Sequence, residues 1–316
     1  MSDVNKLDPF IDGVDRRGFL KCMAWVGTGI IWTVHGGVLS SRAFGAQAAA
    51  DEKGDFSFAQ ISDSHIGFSK EVNKDVTGTL QLAVDRINAN KTRADLLIHT
   101  GDLTHLSKPA EFDAVDQILK GAKVGRSFFV PGEHDVFTDD GKSYLERYGR
   151  ETKGQGWHSH DHKGVHFVGL VNVANLKPGG LGVLGQEQLD WLKKDVEPLG
   201  SSTPVVVYAH VPLWAVYPKW GWGTEDSEQA PTLLKKFGSV TVLNGHIHQV
   251  LQKTEGNVTF HTACSTAFPQ PAPGAADSPG PMKNVAADKL RSLLGLADVS
   301  YTENKGSLAI VDRSLQ

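Results

Sequence analysis

A recurrent pattern of carboxylates and histidines stands just past the ends of short apolar runs in this chain. Asp63-Ser64-His65 follows the run 56–62, Gly101-Asp102 follows 94–100, and Gly132-Glu133-His134-Asp135 follows 127–130. His210 closes the run 204–209, and Asn244-Gly245-His246-Ile247-His248 follows 240–243. Imidazole nitrogens mixed with carboxylate oxygens suit first-row transition-metal ions such as Fe, Mn or Zn. Two histidines two apart in extended backbone, as His246 and His248 would be, point the same way and can reach one centre. Taken singly, each group fits a blander role: a turn-capping Asp, a satisfied core histidine. Their repeated placement at run ends is what points to a metal site.

The elements between these groups explain how they could meet. The runs 56–62, 94–100, 127–130, 164–170, 204–209 and 240–243 are aromatic or β-branched and read as strands. Helical spacing connects them. Leu80, Val84 and Ile87 form one stripe over 77–90, and Phe112, Val115, Ile118 and Leu119 another over 109–120. Further helices are expected over 186–196, 231–237 and 286–296, with late strands at 258–264, 299–301 and 307–311. Strand, polar turn and helix in repetition is the signature of an α/β fold. Its parallel strands bring their carboxyl ends to one sheet edge, where ligands bind. The segment 268–281, rich in Pro and Ala, reads as a long loop.

Other residues have plainer expectations. The aromatic loop after His210 carries Trp214, Trp220 and Trp222. It should flank the site, either stacking on the organic part of a substrate or forming a small satellite core. His261, on a late strand near the site edge, is a candidate substrate contact. His99 reads as a buried neighbour of Asp102, and His105 as either a second layer or surface. His158, His160 and His162 read as an exposed hairpin. Cys264 reads as a small buried residue, since no thiol-activating motif surrounds it.

The 316 residues carry 40% hydrophobic and 22% charged side chains and a net charge of −4, enough for a sizeable core and without the basic footprint of a nucleic-acid partner. Asp15-Arg16-Arg17-Gly18-Phe19-Leu20-Lys21 resembles a twin-arginine export signal, followed by a moderately apolar segment over 22–39 and small residues over 43–49. The expected division is a signal at 1–48 and one catalytic domain at 49–316. The product would be periplasmic or secreted, with the twin-arginine export machinery as a partner. His35 and several glycines argue against a stable membrane anchor after cleavage. Twin-arginine export carries folded proteins, which suits a metal site assembled before export.

The ordered motifs Asp63-Ser64-His65, Gly101-Asp102, Gly132-Glu133-His134-Asp135, His210 and Gly245-His246-Ile247-His248 resemble the calcineurin-like metallophosphoesterases over residues 56–262. The resemblance implies a four-layer α/β/β/α sandwich with mixed sheets and a site for two divalent or trivalent transition-metal ions. Asp63, His65 and His248 would hold the first ion, Glu133, His210 and His246 the second, and Asp102 would bridge them. A hydroxide shared by ions about 3.5–4 Å apart would attack the phosphorus of a small phosphomono- or diester. His134 would stabilise phosphoryl charge or protonate the leaving oxygen, with Asp135 orienting it. One position departs from the pattern. The family has Asn where this chain has Glu133, which adds a negative charge and, when ionised, removes a hydrogen-bond donor. That departure keeps alternatives in view: a metal- or phosphate-binding protein of the same fold, or a dinuclear centre with non-phosphate chemistry.

Overall fold

Alternate residues along the strands face different partners, and this alternation builds the layers. The computed structural model describes residues 53–176, 180–303, 305 and 308–316, and the backbone alone of 28–35 and 38–45. The chain divides into Met1–Ala50 and Asp51–Gln316. In the first unit, β1 (Thr28–His35) pairs antiparallel with β2 (Val38–Gly45). The Arg16-Arg17 pair and the Phe-Leu-Lys run of the expected export signal lie outside the described residues.

The second unit runs β3 (Phe56–Ile61), α1 (Val76–Asn88), β4 (Leu96–His99), α2 (Pro109–Leu119), β5 (Arg126–Phe129), α3 (Glu133–Val136), α4 (Lys142–Tyr148), β6 (His158–His162) and β7 (Val165–Gly169). It continues with α5 (Gln186–Val196), β8 (Val205–Tyr208), α6 (Gln229–Leu234), β9 (Val240–Asn244), β10 (Gln252–Glu255), β11 (Val258–Thr262), α7 (Ala287–Leu293), β12 (Gly295–Tyr301) and β13 (Leu308–Ser314). One sheet has the order β13-β12-β3-β4-β5 and the other β10-β11-β9-β8-β7-β6. Strands β3, β4 and β5 are mutually parallel, as are β7, β8, β9 and β11, while the outer strands pair antiparallel. Both sheets are therefore mixed.

Phe56, Phe58, Leu96 and Ile98 from the first sheet meet Val165, Phe167, Val206, Tyr208 and Leu243 from the second in one buried cluster between the sheets. The alternate residues Ala59, Ile61 and Leu97 face α1 and α2 through Leu80, Val84, Phe112 and Val115. Val168, Val205, Val207, Val240 and Val242 face α5 and α6 through Leu189, Leu192 and Leu234. Helix, sheet, sheet and helix thus form four layers. Helix α1 starts where Asp75 accepts a hydrogen bond from the Gly78 N–H at 2.8 Å, an N-cap of the usual kind. Helix α2 starts on Pro109, whose missing N–H is no loss in a first turn.

Two expectations are corrected. The helical stripe over 286–296 ends at Leu293, and the strand begins at Gly295 rather than 299, because Leu294 and Leu296 are buried in the cluster between the first sheet and its helices. The histidines of β6 do form a hairpin with β7, but it is not exposed. His158 is buried against the Tyr208 hydroxyl at 2.6 Å. The ring of His160 lies flat on Phe128, with centroids 3.5 Å apart and planes 7° apart. Strand β6 edges the second sheet and its inner face meets β5 across the sandwich, so these rings take core positions.

Candidate metal centre

The carboxyl ends of β3, β4, β5, β8 and β9 converge at one edge of the sandwich, and their loops are stitched together by backbone. The Asp63 N–H donates to Gly101 O at 2.9 Å, His65 N–H to Asp102 O at 2.9 Å, and Gly245 N–H to His210 O at 3.0 Å. The two sheets are tied where the His246 N–H lies 3.1 Å from both carboxylate oxygens of Asp63. Ser265, which the sequence reading passed over, donates its hydroxyl to Asp63 O at 2.7 Å. Asp63, His65, Asp102, His246 and His248 all have positive φ, at 52°, 40°, 54°, 70° and 55°. His246 and His248 are therefore not in extended backbone, and the two rings diverge instead of reaching one centre. Gly101, at φ 95°, lets the β4 loop pass close under His210, where a Cβ would lie 2.5 Å from the ring Nδ1.

The diverging rings join two clusters. Asp63, His65 and His248 offer three ligand atoms within reach of one ion, with His65 Nε2 to His248 Nε2 at 3.2 Å and His248 Nε2 to Asp63 Oδ1 at 3.2 Å. Glu133, His210 and His246 offer another three: Glu133 Oε2 lies 2.9 Å from His210 Nε2, and Oε1 lies 3.0 Å from His246 Nδ1. Asp102 Oδ2 stands between the clusters, 3.4 Å from His65 Nε2 and 3.5 Å from His210 Nε2.

Several features fit these groups to metal ions. His248 Nδ1 lies 2.6 Å from Phe268 O and His210 Nδ1 lies 2.7 Å from Thr100 O. A carbonyl only accepts, so each Nδ1 carries the hydrogen and each Nε2 lone pair is left for a metal. Glu133 Oε2, His210 Nε2 and His246 Nδ1 are buried without a hydrogen bond of acceptable geometry, despite their short separations. Ligand atoms aimed at a shared point rather than at one another behave this way. Burial alone would raise the Glu133 carboxyl, but the charges of His246 and His210 hold it well below the usual range. Burial opposes a proton on His210, yet Asp102 and Glu133 push its pKa well above normal. Burial and the neighbouring rings of His134 and His248 push His65 well below normal. The site concentrates negative charge at its centre, as a cation site must.

A cavity of about 200 Å³ opens over the clusters. His134 lines it, and its Nδ1 donates to His105 O at 2.7 Å, leaving Nε2 for the cavity side. Asp135, expected to orient that ring, makes no hydrogen bond to it. Buried, it accepts from Gly132 N–H at 2.9 Å, Leu103 N–H at 3.0 Å, Thr104 N–H at 2.8 Å and the Thr104 hydroxyl at 2.8 Å. Its carboxylate clamps the loop after β4 to the loop after β5. Burial and the charge of Asp102 raise its pKa to about 7, against the pull of those donors. His105 lies in a second layer, stacked on His134 with centroids 4.8 Å apart. Burial and the neighbouring His134 push it down to about 4. His99 is buried 3.0 Å from the Ser64 hydroxyl, and burial takes it to about 3.

The remaining candidates lie elsewhere. Trp220 and Trp222 are buried with Ile247 in a satellite cluster. Trp214 packs on Phe260 and lines a separate cavity beside α6. His261 is buried 3.1 Å from Asp312 on β13, not in the metal-site cavity. Lys70, Phe268 and Gln270 do line that cavity. The Pro- and Ala-rich loop is therefore a wall of the site, and nothing in its composition announces that. Cys264 is half-buried and outside any disulfide among the described residues, and burial pushes its thiol up to about 11.

Residues 56–250 match the calcineurin-like phosphoesterases, and the chain belongs to that family. It is a metal-dependent phosphoester hydrolase of the α/β sandwich type. Among curated proteins it is 26% identical over 227 residues to a 3',5'-cyclic-nucleotide phosphodiesterase of Nostoc sp., covering 69% of this chain and 81% of that protein. It is also 26% identical over 225 residues to a probable glycerophosphodiester phosphodiesterase of Arcobacter nitrofigilis, covering 65% of this chain and 77% of the relative. The fold is similar to that of a dimetal phosphatase from Danio rerio, with a TM-score of 0.61 at 14% identity, over 83% of this chain and 96% of that structure.

Proposed function

We propose that this protein is a dinuclear phosphoesterase that hydrolyses small phosphomono- or diesters, exported by the twin-arginine route to the periplasm or beyond. The observation that carries the dinuclear reading is Asp102, whose Oδ2 stands at nearly equal distance from the two ligand clusters, 3.4 Å from His65 and 3.5 Å from His210. Asp63, His65 and His248 would hold one ion, Glu133, His210 and His246 the other, and Asp102 would bridge. Ions held there would activate water as a hydroxide nucleophile and neutralise phosphoryl charge. The chain's own residues do the rest. His134, held by the His105 carbonyl, presents Nε2 to the phosphoryl or leaving oxygen. Asp63, Asp102 and Glu133 would set where the ions sit.

The reading is tested by metal analysis of protein purified from its exported compartment, followed by a phosphoester panel on the same sample. Two transition-metal ions per chain, metal-dependent turnover, and loss of one ion and of activity in Asp102→Asn are expected. Two bound ions with no turnover of any phosphoester would return the metal-binding alternative that Glu133 raises. No bound metal under any loading condition would end the dinuclear reading. Fractionation of cells carrying Arg16→Lys with Arg17→Lys tests export: retention in the cytoplasm is expected.

A further inference from the structure

Glu133 is the one ligand position where chain and family pattern part. Each of its oxygens lies beside a different ligand nitrogen, Oε1 at 3.0 Å from His246 Nδ1 and Oε2 at 2.9 Å from His210 Nε2. An Asn in this place would offer one oxygen and an amide donor, whereas ionised Glu offers no donor at all. A carboxylate that ligates a metal ion does so in its ionised form. With a quarter of its side chain exposed, it also forms part of the wall of the 200 Å³ cavity, beside Asp102 and His134. A cavity this small keeps any phosphoryl group within a few ångströms of that carboxylate. The ammonium facing the same space, Lys70, is solvent-exposed at the rim, where water and salt screen it more than the inner carboxylate.

We propose that Glu133 is a charge filter that turns this site toward phosphodiesters and away from phosphomonoesters. The proposal rests on the dinuclear reading above. A diester carries one negative charge at neutral pH and a monoester close to two. The third ligand carboxylate lowers the positive charge left over when two divalent ions bind, and it faces the phosphoryl oxygens without a donor. Repulsion scales with substrate charge, so the dianion is penalised about twice as heavily as the monoanion. Two charges a few ångströms apart in a partly screened site interact strongly enough to shift preference tenfold or more.

The experiment compares kcat/KM for phenyl phosphate and bis(4-nitrophenyl) phosphate in wild type, Glu133→Gln and Glu133→Asn, each at saturating metal with two ions verified by elemental analysis. Inorganic phosphate and dimethyl phosphate are titrated calorimetrically into the same metal-loaded samples, as a binding readout independent of turnover. The wild type should prefer the diester and bind dimethyl phosphate in preference to inorganic phosphate. Both substitutions should move the monoester-to-diester ratio at least tenfold toward the monoester and tighten inorganic phosphate relative to dimethyl phosphate. An unchanged ratio in variants that keep both ions, or a wild type that favours the monoester, overturns the charge filter and leaves the phosphoesterase reading standing. A wild type that hydrolyses neither ester with both ions in place overturns that reading instead. If Glu133→Asn loses an ion, Glu133→Gln and the calorimetric ratio decide.

Discussion

Replacing Asp135 by Asn tests whether this carboxylate works as a clamp between loops or as an orienting partner for His134. Its Oδ1 takes the N–H and hydroxyl of Thr104, both at 2.8 Å, and its Oδ2 takes the N–H groups of Gly132 and Leu103 at 2.9 and 3.0 Å. An amide is nearly isosteric, but whichever oxygen becomes NH2 then faces two donors with another donor. A hydrogen bond contributes about 0.5–1.5 kcal/mol, more where the acceptor is ionised, and each buried donor left unsatisfied costs about 1–3 kcal/mol. Because the four bonds act as a unit, their sum overstates the effect, and a loss of about 3 kcal/mol is expected. For a unit of this size that corresponds to a drop in Tm of roughly 6–12 °C. The loops clamped here carry Asp102 and Glu133, so metal affinity should fall with stability. The assay is a thermal and urea melt of the metal-free protein, with metal stoichiometry measured separately. A Tm within 2 °C of wild type and full metal content, combined with a large fall in kcat, would refute the clamp and restore the orienting role.

Gly101→Ala places a Cβ 2.5 Å from His210 Nδ1 and 2.8 Å from Gly132 N at a φ of 95°; about 3 kcal/mol or more should be lost, and an unchanged urea midpoint would contradict it. Chelating the metals from loaded protein should lower Tm by roughly 5–10 °C per ion at a hundredfold excess over Kd, read by calorimetry before and after dialysis; no shift would mean no ion binds the folded state. Away from the site, burial opposes a proton on His166, but its bonds to Asp195 at 2.9 Å and Asp161 at 2.8 Å raise its pKa above the unfolded value of about 6.5. The charged pair therefore stabilises the fold fully below that unfolded value, and the contribution is lost as pH rises through the folded pKa. Asp161 is exposed and adds little, so His166→Asn should cost about 1–2 kcal/mol more at pH 5.5 than at pH 9 by urea melts; a pH-independent difference would speak against it. Ile247→Ala removes the buried side chain between His246 and His248, costing about 2–5 kcal/mol and loosening both ions together; loss of one ion alone would argue against a shared anchor.

Much of the site was legible because its ligands follow strand ends in order, and strands announce themselves by alternation. Ala59 and Ile61 face helices while Phe56 and Phe58 face the other sheet, which is a period of two in the sequence and in the layers. What could not be read depends on contacts between distant segments. His160 is polar by type, and only the crossing of β6 over Phe128 makes it a core ring. Asp135 sits beside His134 in sequence, which suggests an orienting role. Its actual donors come from the β4 loop and from the turn before it, and no local pattern shows that pairing. Phe268 was hidden in a loop whose composition signals only irregular backbone, yet its carbonyl fixes His248 and its ring stacks 4.8 Å from His65. The stripe over 286–296 misled because apolar Leu294 and Leu296 suit a helix face and a buried strand equally.

The left-handed backbone at the ligands is where sequence logic and geometry part most informatively. An L-residue in this region costs on the order of 1 kcal/mol, so five of them are a standing expense of about 5 kcal/mol. Regular strand geometry would avoid it, but would also send His246 and His248 the same way, toward a single ion. At φ 70° and 55° the two rings part, one to Glu133 and His210, the other to Asp63 and His65. The strain is what lets one short motif serve two ligand clusters. Something must hold it, and the structure offers three restraints: the His246 N–H on the Asp63 carboxylate, the His248 Nδ1–H on Phe268 O, and Ile247 packed in a buried cluster with Trp220 and Trp222. Trp220 and Trp222, for which the sequence allowed either a substrate platform or a small satellite core, form that core with Ile247 and so back the turn that divides the histidines.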